Sequence, residues 1–124
     1  MDIGNILIIE DDAFQCKILY SMLSSITSAT IVTANNGKQG FEAVEKQRPD
    51  VICCDLYMPE MDGVEFVRVL ADSGIQTTVV FTSSAASDVQ AAVIEMSKSC
   101  GLKKVANLIN PLKREQVSEL LTWV

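Results

Sequence analysis

Short apolar runs alternate with longer amphipathic ones from one end of the chain to the other, five of each, and few architectures accommodate that alternation. A short continuous apolar run reads as a strand covered on both faces, whereas apolar residues recurring at spacings of three and four make a helix with a single buried stripe. Repeated strand–helix units of this length imply a parallel sheet with right-handed crossovers and helices on both sides.

The runs place the elements one by one. Residues 6–9, all Ile and Leu, are the first strand. A helix over about 13–26 carries Phe14, Ile18, Leu19, Met22, Leu23 and Ile26 as one stripe. "TIVTA" at 30–34 is the second strand, broken by Asn36-Gly37 ahead of a helix with Phe41 and Val44 inward. That helix stops before Pro49, which disfavours helical geometry at Arg48. "VICCD" at 51–55 is the third strand and reads as the most fully buried. After a turn through Pro59 and Gly63, a helix presents Val64, Phe66, Val67 and Leu70 inward and closes on Gly74. "TTVVF" at 77–81 is the fourth strand and runs into Thr82-Ser83-Ser84. Ser87 or Asp88 caps a helix reaching Ser99, with Gly101 as its stop. "VANLI" at 105–109 is the fifth strand, and Pro111 opens a last helix whose Val117, Leu120, Leu121 and Trp123 face the sheet.

This series predicts a flavodoxin-like (βα)5 three-layer sandwich with a parallel five-stranded sheet of order 2-1-3-4-5, its crevice outside the carboxyl ends of strands 1 and 3. With 124 residues, the expectation is one domain over 1–124. Hydrophobic residues at 48% and charged residues at 21% are globular composition. The amino-terminal ten residues hold one short apolar stretch, so neither a signal peptide nor a membrane span is expected, and the expected location is cytoplasmic. The four cysteines form no repeated CxxC pair and there is no histidine, which leaves a structural zinc site little to work with; reduced, buried thiols are expected. A net charge of −6 argues against direct nucleic-acid binding and favours a cation or a basic protein surface.

The strand ends carry the chemistry. Strand 1 ends in Glu10, Asp11 and Asp12, strand 3 in Asp55, strand 4 in Thr82 and strand 5 in Asn110. Aspartate is common where strands become turns, and an acid run is often a solvated loop, so neither feature alone means much. Together in one crevice they repel, by roughly 4 kcal/mol for two unit charges 4 Å apart at intermediate dielectric. A divalent cation offsets this, and magnesium suits hard carboxylate oxygens that also leave room for water and phosphate. Flavin phosphate would meet three carboxylates instead of hydroxyls and amides, so flavin binding is disfavoured. A carboxylate beside such a metal can attack phosphorus, which makes Asp55 the candidate nucleophile.

At this point the chain resembles the receiver domain of bacterial two-component response regulators over essentially its whole length. "ILIIEDD", "DLYMPEMDG", the hydroxyl of "VVFTS" and a proline after strand 5 arrive in order and at compatible spacing. The resemblance implies Asp55 as phosphoacceptor, and Glu10 and Asp11 as the acid pair holding magnesium. Asp11, Asp55 and the Tyr57 backbone carbonyl would be direct ligands, Glu10 acting through water. It further implies Thr82 as the switch hydroxyl and Asp12 as a more variable third acid. It implies a histidine kinase or phosphotransfer protein as donor, a downstream effector as recipient, a homodimer as one mode of output, and no enzyme activity beyond the domain's own phosphorylation and dephosphorylation.

Three departures qualify that expectation. The family usually has lysine where Asn110 stands, and asparagine is shorter and uncharged. Lys103, Lys104 and Lys113 lie nearby in sequence, off the matching position. Asn107 occupies the place of the switching aromatic. The segment from Thr82 to Pro111 is longer than usual and, with "EDDAFQ", is similar to receivers fused to EAL-type cyclic-di-GMP phosphodiesterases, which implies a C-terminal effector domain in a longer chain. Two other classes stay open: a pseudo-receiver that docks or dimerises without phosphorylation, and a magnesium-dependent phosphatase, whose dehalogenase type needs an acid where Tyr57 stands. Cys53 and Cys54 read as core fillers on opposite sides of the strand.

Overall fold

The computed structural model describes residues 3–58, 61–83, 87–102, 104–109 and 112–123, with the side chains at 87–90 and 123 outside the description. Its elements are β1 (Asn5–Ile9), α1 (Ala13–Ile26), β2 (Thr30–Ala34), α2 (Gly37–Lys46), β3 (Val51–Asp55), α3 (Gly63–Asp72), β4 (Thr78–Ser83), α4 (Ser87–Ser99), β5 (Val105–Ile109) and α5 (Arg114–Trp123). All strand pairings are parallel and the order is β2-β1-β3-β4-β5.

Alternation along each strand sorts the core into two layers. Leu7, Ile9, Ile52, Cys54, Val79 and Phe81 point to one side, where Val44, Phe66, Val67, Leu70 and Val93 cover them. Ile6, Ile8, Val51, Cys53 and Val80 point to the other, against Leu19, Leu23 and Val117. Thus α2, α3 and α4 lie on one face and α1 and α5 on the other. Cys53 and Cys54 are buried on opposite faces, as their alternation predicts. The four thiols are free; Cys16 is half-buried and Cys100 exposed, so burial of all four does not hold.

Helix ends follow local chemistry. Asp12, Asn36 and Asp62 cap α1, α2 and α3 by accepting backbone N–H bonds. Gly74 and Gly101 follow α3 and α4 at positive φ, where a side chain would be strained. The cap expected of Ser87 or Asp88 lies outside the described side chains.

Three expectations are corrected. Phe14 is 64% exposed and Ile18 is also exposed, leaving Leu19 and Leu23 as the buried stripe of α1. The helix, about 21 Å long at 1.5 Å per residue, outruns a five-residue strand of about 16 Å, so the sheet does not cover its whole length. β4 runs to Ser83, one residue past the expected end at Thr82, and Thr82 is buried within it. α5 begins at Arg114: the Lys113 carbonyl accepts from Gln116 and Val117, so it starts the helical ladder, while Pro111 lies outside the described residues. Among the described residues no helix is long and apolar enough to cross a membrane.

Candidate functional site

Parallel register brings the strand ends to one edge. Ile9 of β1 lies opposite Cys54 of β3, so the residues that follow, Glu10 and Asp55, are neighbours 45 positions apart in sequence. Asp55 in turn pairs with Thr82 of β4. Each is an even step from an inward residue of the α1/α5 face, Cys53 and Val80, so both side chains stand on that side of the sheet. The amide of Leu56 donates to the Thr82 carbonyl at 3.1 Å, holding the loop after β3 against β4.

One carboxylate oxygen each from Glu10, Asp11 and Asp55 lies within 4.8 Å of the others. Glu10 is only 9% exposed, Asp55 is half-buried and Asp11 is exposed. The Tyr57 amide donates to Asp55 Oδ1 at 3.2 Å and so orients the carboxylate, while the Tyr57 ring is 57% exposed. Burial, with the bond to Asp55 and its negative charge, pushes the Glu10 carboxyl up to about 9. Burial also raises Asp55, as does the charge of Asp11; its bonds to Glu10 and the Tyr57 N–H oppose the rise. At neutral pH the cluster keeps a proton that isolated carboxylates would shed.

The donor set suits a hard divalent ion. It is all oxygen, and oxygens at about 2.1 Å from magnesium sit at most about 4.2 Å apart, so two direct carboxylates and a third reached through water match the observed spread. The proton held by Glu10 is what such an ion would displace.

Asn110 lies outside the described residues, as does Lys103. Asn107 is half-buried on β5 opposite Phe81. Lys104 precedes β5 and its carbonyl accepts from Val79 near the start of β4, which puts it at the amino edge. Five residues of strand, about 16 Å, separate it from the acids. Exposed Lys113 stands just before α5, on the carboxyl side.

Asp12 plays a part different from that of the other acids. Its Oδ1 accepts from Phe14 N at 2.8 Å and Gln15 N at 3.2 Å, so it anchors the first turn of α1. An aspartate directly before an amphipathic run was the available signal. Asp12→Ala is expected to lower stability by about 1 kcal/mol in urea unfolding.

Residues 6–108 match the response regulator receiver domain family. Over 119 residues, 95% of this chain and 30% of the relative, the sequence is 31% identical to the cyclic di-GMP phosphodiesterase RocR of Pseudomonas aeruginosa. It is 34% identical over 116 residues, 93% of the chain and 33% of the relative, to protein-glutamate methylesterase/protein-glutamine glutaminase 5 of Myxococcus xanthus. The chain therefore spans about a third of the length of these curated relatives. The fold is shared with the chemotaxis protein CheY4 of Vibrio cholerae, at a TM-score of 0.83, 22% identity and 98% coverage of both chains.

Proposed function

The chain belongs to the response regulator receiver domain family, and from that premise we propose that Asp55 accepts a phosphoryl group from a histidine kinase or phosphotransfer protein with magnesium bound beside it. A receiver domain is the signalling module of a two-component response regulator, and we extend that role to the whole of 1–124. The observation that carries the proposal is the convergence of Glu10, Asp11 and Asp55 within 4.8 Å at the carboxyl edge, with Thr82 in register beside Asp55.

Asp11, Asp55 and the backbone carbonyl of Tyr57 would hold the ion directly, with Glu10 acting through water. When bound, magnesium supplies positive charge against the phosphoryl oxygens. The Tyr57 amide keeps one Asp55 oxygen occupied, leaving the other to form the bond to phosphorus. The donor's phosphorus–nitrogen bond breaks as that bond forms, and the departing imidazole takes up a proton. Thr82 is the hydroxyl that would bond the new phosphoryl group and draw the loop after β4 inward. The altered surface would then be read by an effector, either a second copy or an attached domain. RocR is described as a cyclic di-GMP phosphodiesterase, which is consistent with a phosphodiesterase domain as that effector.

The test is incubation with magnesium and acetyl phosphate or beryllofluoride, read by intact mass or amide spectra. One adduct mapped to Asp55 is expected. Sustained phosphate release from ester substrates would instead indicate a phosphatase.

A second reading is favoured by Asn110 and Asn107, which replace the usual lysine and aromatic. It is a pseudo-receiver that docks or dimerises without phosphorylation, and absence of any adduct together with weak magnesium binding would support it. Under the first reading, Asn110→Lys restores a charge-assisted hydrogen bond of about 1.5–3 kcal/mol. Beryllofluoride should then bind about tenfold tighter or more, with larger amide shifts along β4 and β5. An unchanged titration would assign the charge to another cation, such as Lys113, which stands on that side.

A further inference from the structure

Helix α2 contains two glycines in ten residues, at 37 and 40, although glycine is a poor helix former. Neither has a positive φ, so conformation does not require them. Space does. A Cβ on Gly37 would lie 2.8 Å from both Cγ and Sδ of Met61 and 2.9 Å from the Met61 carbonyl oxygen. The thioether could swing aside, but the carbonyl is backbone and could retreat only if the loop moved. A Cβ on Gly40 would strike the side chain of Ile9, within the core.

Met61 belongs to the loop that carries the site. That loop leaves Asp55 and is pinned at its start by Leu56 N donating to Thr82 O. Gly63 N donates back to Leu56 O at 3.1 Å, and a Cβ on Gly63 would crowd the Asp55 carbonyl, so the exit is pinned against the entry. Met61 packs on the core cluster that includes Leu56 and Met58. Tyr57, whose amide holds Asp55 Oδ1, lies between these fixed points.

We propose that Gly37 and Met61 form a seat that positions the β3–α3 loop, so that the first residue of α2 sets where Tyr57 and the Asp55 carboxylate stand. Both are positioning residues, acting through Tyr57 and touching neither ion nor phosphoryl group. The inference rests on the reading of Asp55 as the phosphoacceptor beside magnesium. It also makes α2 a lever on the site: a partner that shifts the amino end of this helix changes the metal pocket.

The test compares Gly37→Ala, Met61→Ala and Gly40→Ala in the whole chain by amide spectra without metal, magnesium titration and thermal melting. Gly37→Ala is expected to move the Tyr57 and Asp55 amide signals and to weaken magnesium about tenfold, the usual scale for losing an outer support of a metal ligand. Met61→Ala, which empties the seat with no clash, should act in the same direction. Gly40→Ala should lower the melting temperature but leave magnesium affinity and the Tyr57 amide where they were. Unmoved Tyr57 signals in both seat variants, or equal weakening by Gly40→Ala, would overturn the proposal. If the parent chain takes up no magnesium, the reading of Asp55 fails, while the metal-free Tyr57 signal still decides whether the seat exists.

Discussion

Asp55→Asn is expected to abolish phosphoryl uptake while making the metal-free protein more stable. The amide has no anionic oxygen to attack phosphorus, so intact mass after acetyl phosphate treatment should match that of the untreated variant. Stability should move the other way because asparagine keeps the Oδ1 that accepts from Tyr57 and removes one of three crowded acids. Two full charges at 4 Å repel by about 4 kcal/mol at intermediate dielectric. The proton on Glu10 already relieves part of this, so a gain on the order of 1 to 2 kcal/mol is expected in urea unfolding. A variant that still acquires a phosphoryl group would move the acceptor elsewhere. One that unfolds more easily than the parent would mean that Asp55 is held by favourable contacts rather than against repulsion.

Magnesium affinity should rise about tenfold per pH unit from pH 6 to 8, roughly a hundredfold in all, because the ion must displace a proton from the Glu10–Asp55 pair. Glu10 is pushed up to about 9 and Asp55 is raised as well, both chiefly by burial. The same shifts give the metal-free protein a pH dependence of definite sign. Both carboxyls hold protons more tightly when folded than when unfolded, so the folded state carries more protons. The stability they contribute is complete below the unfolded value and declines as pH rises through the folded one. Between about pH 5 and 9 the metal-free melting temperature should therefore fall, and saturating magnesium should recover it most at high pH. Glu10→Gln should flatten both slopes. A pH-independent affinity, or a metal-free melting temperature that climbs across this window, would count against proton displacement at Glu10.

The elements were legible because their signals are local. The run at 51–55 needs only its own residues to read as a buried strand, and α1 was placed at its observed ends. Where a residue's fate depends on what lies across from it, local pattern misleads. Phe14 has the spacing of a core residue, yet it is exposed. Thr82 reads as the residue that finishes its strand, yet β4 runs on to Ser83 and Thr82 is buried opposite Asp55. Lys104 is close to the site in sequence and lies at the opposite edge in space. Gly37 reads in sequence as part of the break after the second strand, and only the position of Met61 reveals that the space it leaves is used.

The order and type of the strands and helices, the strand order of the sheet and the acids at its carboxyl edge were settled by the sequence alone. Periods of 2 and 3.6 are short-range properties, and parallel crossovers leave few ways to connect such elements. The tertiary structure decided the rest: which acids meet, how far apart, and how strongly they keep their protons. Distances between residues 10 and 55 depend on strand register, and a carboxyl's proton affinity depends on how much water the surrounding fold removes, neither of which is written in any local stretch of chain.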